Sequence, residues 1–273
     1  MKRVLVPMLG VESDQAALAA GAAVARPVGG HLEARLFSQD PIDMLPIMGE
    51  GFSATMVEEL LASAEARATQ REKTARASFD SFTASSDLNA DFDNIVGPIP
   101  GRLVTPGRLA DVVVFARDAK DENPDHAALI ETAVMETGRP VLLSPIQAPD
   151  TLGEHILVAW NGSAEAARAV AMTMPMLVRA EKVTVVTVED GDVSTDPAAL
   201  TKTLTLNGIK ATSSVAAMNS EGVAATLEAE AKKIEADMIV IGAYSHSRIR
   251  EFVMGGVTDD ALTDSTVPML LAR

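Results

Sequence analysis

The feature that most constrains this chain is that one pattern is written in it twice. "KRVLVPMLGVESDQAALAAGAAVA" and "EHILVAWNGSAEAARAVAMTMPML" both place a short β-rich run before a turn and an Ala-rich helical segment. The closings match as well: "RLADVVVFA" then "ETGRPVLLSP" answers "KIEADMIVIGA" then "TDSTVPMLLAR", with Asp111 against Asp237 and Pro140 against Pro268. An internal repeat is the simplest account. Val4 answers Ile156, 152 residues on, and Pro140 answers Pro268, 128 residues on, so the first copy is longer inside by 24 residues. The surplus is assigned to the stretch 40–82.

Within each copy, apolar runs (Val4 to Val6, Val112 to Phe115, Val183 to Val188, Met238 to Ile241) alternate with helical patterns. Unbroken Val/Ile/Leu runs read as strands buried on both faces, and helices between them imply parallel crossovers. Each copy is therefore expected to be a doubly wound α/β unit, and the proline-containing stretch Ser144 to His155 reads as the linker. Ligands of such units sit beyond the carboxyl ends of the strands, where the strand order reverses. The residues to watch are thus those that follow Val6, Phe115, Val158 and Ile241.

Composition narrows the partners. A formal charge of -15 repels phosphate at long range, which argues against nonspecific binding to nucleic acid or an anionic membrane, so any phosphate site must be local. With no cysteine, disulfides, thiolate metal sites and cysteine nucleophiles are excluded. No run reaches the roughly 18 apolar residues of a spanning helix, and "MKRVLVPMLG" does not read as a signal peptide. A cytoplasmic location is the expectation.

The opening "ILVAWNGS", the strand ending in "DMIVIGA", the loop "GAYSHSRIREFVMGGVT" and the closing "TVPMLLAR" together resemble the universal stress protein family, here in tandem. The resemblance implies two Rossmann-like, doubly wound units, each with a mainly five-stranded parallel sheet, whose last strands pair with each other as an internal pseudo-dimer. It sets the units at 1–146 and 153–273. It also implies that the loop holds adenine nucleotide, ATP or AMP, through backbone N–H groups and a hydroxyl.

In that family the loop runs Gly, two residues, Gly, nine residues, Gly, then Ser or Thr. Here Gly242 and Gly255 keep the outer spacing, Ser245 stands at the middle glycine and Gly256 at the hydroxyl position, followed by Val257 and Thr258. Such glycines let the backbone approach phosphate oxygens, and the helix that follows adds free N–H donors. A serine at φ > 0 costs on the order of 1 kcal/mol. A hydrogen bond to charged phosphate is worth roughly 1.5–3 kcal/mol, so its loss weakens affinity about tenfold to a hundredfold. Ser245, His246, Ser247, Arg248, Arg250 and Thr258 stand close enough in sequence to replace it. Ala159 and Asn161, after the strand, complete the expected set: the family's acid is here an amide, which can bond a ribose hydroxyl but is a poor Mg²⁺ ligand. Asn161 and Gly162 also read as a tight turn with Ser163 as helix N-cap, and Trp160 as packed core.

The first copy departs further. Ala116 stands for Gly242, Leu9 for the acid, and "RDAKDENPDHAALIETAVMETG" has no glycine loop; Asp118, Asp121, Glu122 and Asp125 outnumber Arg117 and Lys120 there. This copy is expected to bind no nucleotide. His31, His126, His155 and His246 show no metal-ligand spacing and read, His246 aside, as surface or turn residues; phosphate-loop and nucleophile-elbow motifs are absent from the sequence, and no metal or catalytic residue is assigned. His246 with Asp259 or Asp260 is weighed as an acid/base pair and set below a helix-start role for the aspartates.

Three readings follow. The first is a stress-response factor that binds adenine nucleotide weakly or conditionally through its second copy. The second is a nucleotide-independent scaffold for a protein partner, using the acidic surface and the apolar segment Met44 to Phe52. The third, a hydrolase or phosphotransferase, lacks a positioned base or metal ligands. A homo-oligomer is compatible with any of them.

Overall fold

The computed structural model describes residues 1–40, 42, 53–117, 124–147, 151–189, 195–243 and 265–273. In chain order these form β1 (Arg3–Met8), α1 (Asp14–Ala25), β2 (His31–Ser38), α2 (Ala54–Ser85), β3 (Asn89–Val96), α3 (Val104–Leu109), β4 (Val112–Arg117), α4 (Pro124–Glu136) and β5 (Val141–Pro145). They continue with β6 (His155–Ala159), α5 (Ala164–Leu177), β7 (Lys182–Glu189), α6 (Pro197–Leu206), β8 (Ala211–Ala217), α7 (Val223–Lys233), β9 (Met238–Gly242) and β10 (Met269–Ala272).

All ten strands lie in one sheet, ordered β3-β2-β1-β4-β5-β10-β9-β6-β7-β8. Each half contributes five strands in the same relative order, and every pairing within a half is parallel. The seam is antiparallel, with Met269 opposite Leu143, Leu270 opposite Leu142 and Leu271 opposite Val141. A closing strand would otherwise be an edge of unpaired N–H and C=O groups. Here each half's edge satisfies the other's, and all six residues are buried. The doubly wound, seam-paired architecture expected from sequence is therefore the one observed. The linker is shorter than expected, because Ser144, fully buried, and Pro145 still belong to β5.

One face of the sheet carries a single apolar cluster that crosses the seam, from Val4 and Leu142 to Leu270, Val240 and Met238. The opposite face carries two clusters, one around Leu5, Phe37 and Phe115 and one around Leu157, Ile239 and Met269. Val4, Leu5 and Val6 are all fully buried, which is why β1 reads as an unbroken apolar run rather than an alternating one. Each such side chain stabilises the fold by about 1.5–3 kcal/mol.

The equivalent aspartates do equivalent work. Asp111 accepts the N–H groups of Lys2 (2.6 Å) and Arg3 (3.1 Å), and Asp237 those of Glu154 (2.8 Å) and His155 (3.2 Å). Each carboxylate thus fixes the start of its half's first strand. The prolines match too: Pro140 O accepts Val113 N–H and Pro268 O accepts Ile239 N–H.

Much of the surplus in the first copy is α2, 32 residues against the ten of α6. At 1.5 Å per residue it is about 48 Å long. Its buried residues are Ala64, Ala75, Phe79 and Phe82, so most of its length is solvated. The segment Met44 to Phe52 lies outside the described residues. Met176 is buried, Met172 and Met174 pack partly buried against the core, and so does Trp160, as its sequence position suggested. His31 and His155 begin strands and His126 lies in α4 beside Phe115, so none of the three is a turn residue.

Candidate functional site

The strand order of the second half reverses between β6 and β9, so the crevice of that half opens beyond Ala159 and Gly242. Val158 lies opposite Val240, which brings the next residues of both strands side by side. Beyond Ala159 the chain is held from below: Trp160 N–H donates to Val186 O, Thr187 Oγ1 to Trp160 O (2.8 Å) and Thr195 Oγ1 to Asn161 O (3.1 Å). Gly162 takes the left-handed conformation (φ 75°), which a side chain would strain. Ser163 then caps α5, its Oγ accepting Ala166 N–H at 3.1 Å.

The Asn161 carboxamide oxygen accepts Ser163 N–H at 3.1 Å, closing an Asx turn. The amide therefore serves the turn that the sequence proposed for it, with its residue exposed beside the crevice. Gly242 has a packing role that sequence reasoning missed. A Cβ there would run into the main chain of Glu165 and Ala166, so the missing side chain lets the start of α5 seat directly against the end of β9. On that first turn, the Glu165 carboxyl is held below its usual range by its own backbone N–H, with Arg168 adding at 2.6 Å. Ser245, His246, Arg248, Gly255, Gly256, Val257 and Thr258 lie outside the described residues, as do Asp259 and Asp260. The chain returns at Ser265, and the buried Glu228 of α7 anchors the return by accepting Thr266 N–H at 3.2 Å while pairing with Lys232 at 2.7 Å.

The matching place in the first half is filled. Gly10 repeats the left-handed turn (φ 72°), but the Asp14 carboxylate, 4% exposed, folds back to accept the N–H groups of Leu9 (3.1 Å), Gly10 (2.8 Å) and Val11 (3.2 Å). Above it runs α2, whose main chain at Arg71 sits where a Cβ on Gly10 would be. Arg71 reaches Asp125 of α4 at 3.8 Å. Leu9, standing for the family's acid, is buried in the core, and Ala116 closes the floor at 1% exposure. Burial pulls the next residue, Arg117, down to about 10, opposed by the charge of Glu228 from the second half. An acid six residues beyond the strand and four after the turn glycine was the available signal for Asp14.

Residues 153–273 match the sequence model of the universal stress protein family. No curated protein matches the chain. Among solved structures, a universal stress protein from Archaeoglobus fulgidus DSM 4304 aligns with a TM-score of 0.61 at 15% identity, covering 99% of this chain and 96% of that one. A protein from Pseudomonas aeruginosa UCBPP-PA14 assigned to the same family aligns at 0.52 and 12%, covering 99% and 93%. Both alignments run through the first half as well, so the universal stress protein fold extends beyond the residues that the sequence model matches. Among the described residues no group of three or more His, Asp or Glu side chains is placed to hold a metal ion, and no helix is long and apolar enough to cross a membrane.

Proposed function

We propose that this chain is a tandem universal stress protein, divided at 1–146 and 153–273, whose second half binds an adenine nucleotide weakly or conditionally and whose first half does not. The observation that carries this reading is the difference between the two crevices. In the second half the exposed amide of Asn161, the left-handed Gly162 and the capped start of α5 stand at the strand-order reversal, within the residues that match the family, and Ala166 stands where the first half has Asp14. In the first half a buried carboxylate and a long helix occupy the same place. Ala159, Asn161 and Gly242 would border the ribose, and Ser245, His246, Arg248, Gly255, Gly256, Val257 and Thr258 would supply phosphate contacts. The ligand, ATP or AMP, would then act as a signal in a cytoplasmic stress response rather than as a substrate.

The decisive measurement is release of nucleotide from freshly purified, denatured protein, identified by mass and absorbance, read together with the thermal shift from millimolar ATP or AMP; less than one equivalent per chain and a positive shift are expected. No released nucleotide, together with no thermal shift from millimolar ATP or AMP, overturns the reading and leaves an interaction scaffold of the same fold. Because an amide is a poor Mg²⁺ ligand, EDTA is expected to change nucleotide affinity less than about tenfold. Protein-dependent phosphate release that disappears in Thr258→Ala would instead support a hydrolase.

A further inference from the structure

The two ends of the ten-stranded sheet are protected differently. At one end β3 carries Asp91 and Asp93, and carboxylates on an edge strand oppose pairing with another edge. At the other end β8 reads ATSSVAA, with neither a charge nor a proline. In a chain of net charge -15, this neutral strip presents no charge of its own to repel a second copy. Charge returns only at its two ends, with Lys210 before it and Glu221 after it, both exposed.

We propose that β8 is a self-pairing edge, through which two copies of this chain associate as an antiparallel dimer. The backbone geometry fixes which residues take part. Lys210 O accepts Val183 N–H of β7 at 3.0 Å, and main-chain groups alternate sides along a strand, so 212, 214 and 216 face β7 while 211, 213, 215 and 217 face outward. An antiparallel pairing centred on Ser214 sets 211 opposite 217 and 213 opposite 215, so that every outward residue meets another. The same register places Val215, 52% exposed, diagonal to its copy on one face and lays the Lys210 stem beside Met218, 38% exposed. It also turns the basic end of each strand toward the acidic end of its partner. A strand with opposite charges at its ends complements itself only when antiparallel, which is why a second copy is the occupant that this edge fits.

Sedimentation equilibrium of the full chain, from about 1 to 500 µM, tests this. Wild type is expected to dimerise, and Ser213→Pro is expected to weaken the dimer at least about tenfold. That proline removes an outward N–H and no bond to β7, so the fold should survive it. Val215→Lys, which puts like charges across the pair, is expected to weaken it similarly and decides the matter if circular dichroism shows Ser213→Pro unfolded. Amide exchange at 213 and 215 should slow with protein concentration. A wild type that stays monomeric throughout, a dimer unaffected by either variant, or concentration-dependent protection confined to other segments overturns the proposal.

Discussion

Asp111 and Asp237 occupy equivalent places and accept equivalent backbone N–H groups, yet the fold moves their proton affinities in opposite directions. Burial pushes Asp111 up, but the N–H groups of Arg3 and Lys2 and the nearby Arg139 outweigh it and hold it below the ordinary range. At Asp237 burial dominates, and the N–H groups of Glu154, Gly153 and His155 do not fully offset it, so its carboxyl is raised. The sheet rows beside them differ in the same sense. In the first half Arg3 pairs with Glu33 at 2.6 Å and Arg35 with Asp91 at 2.8 Å, a charged row across three strands. In the second half His155 Nε2 meets Thr184 Oγ1 at 3.0 Å and Thr184 meets Thr212 at 3.5 Å, a neutral row. The topology requires only that a polar group stand at each of these places; neighbouring charge and depth of burial decide whether it is ionised. One half has become a charged, self-satisfied body, and the other keeps an exposed amide turn at its strand-order reversal.

That contrast can be broken most strongly at the floor of the crevice. Gly242→Ala forces a Cβ into the start of α5 and is expected to destabilise the chain by about 1–3 kcal/mol in urea unfolding. Ala116→Gly, at the matching place in the first half, should cost about 1 kcal/mol or less, because that half already accommodates a Cβ. Equal losses would mean that the two floors are packed alike. Asp14→Ala leaves three backbone N–H groups without their acceptor and should cost roughly 1–3 kcal/mol, more than Ser163→Ala, which removes one capping bond worth about 1 kcal/mol. The reverse order would remove the argument that the first crevice depends on its internal carboxylate.

The smallest effect is in pH dependence. The lowered Asp111 contributes stability that is present above its unfolded pKa, about 3.9, and is lost as pH falls through its folded value. The raised Asp237 contributes stability that is present below about 3.9 and is lost as pH rises through its folded value. Asp111→Asn should therefore flatten the acid limb of a stability profile taken from pH 3 to 7. Asp237→Asn should leave that limb in place and be the milder of the two at pH 7. Matching profiles for the two variants would show that the halves do not differ in this respect.

Much of the architecture was legible in the sequence because it rests on local rules. Unbroken apolar runs separated by helical patterns can be buried only as a doubly wound sheet, and the repeat of Asp111 and Pro140 at Asp237 and Pro268 marks two copies with the same strand frame. The Asn161–Gly162 turn and the Ser163 cap were legible for the same reason: each depends on neighbours within a few residues, and Asn161 and Ser163 do bond as that reading requires. Only the tertiary structure decided what fills the first half's crevice and how the second half's floor is packed. That Arg71, 61 residues from Gly10, would lie over it, and that Gly242 makes room for a helix start rather than needing a left-handed backbone, are contacts between segments distant in the chain. Residue type sets what a side chain can bond, but burial and distance set what it does bond, and these exist only once the chain has folded.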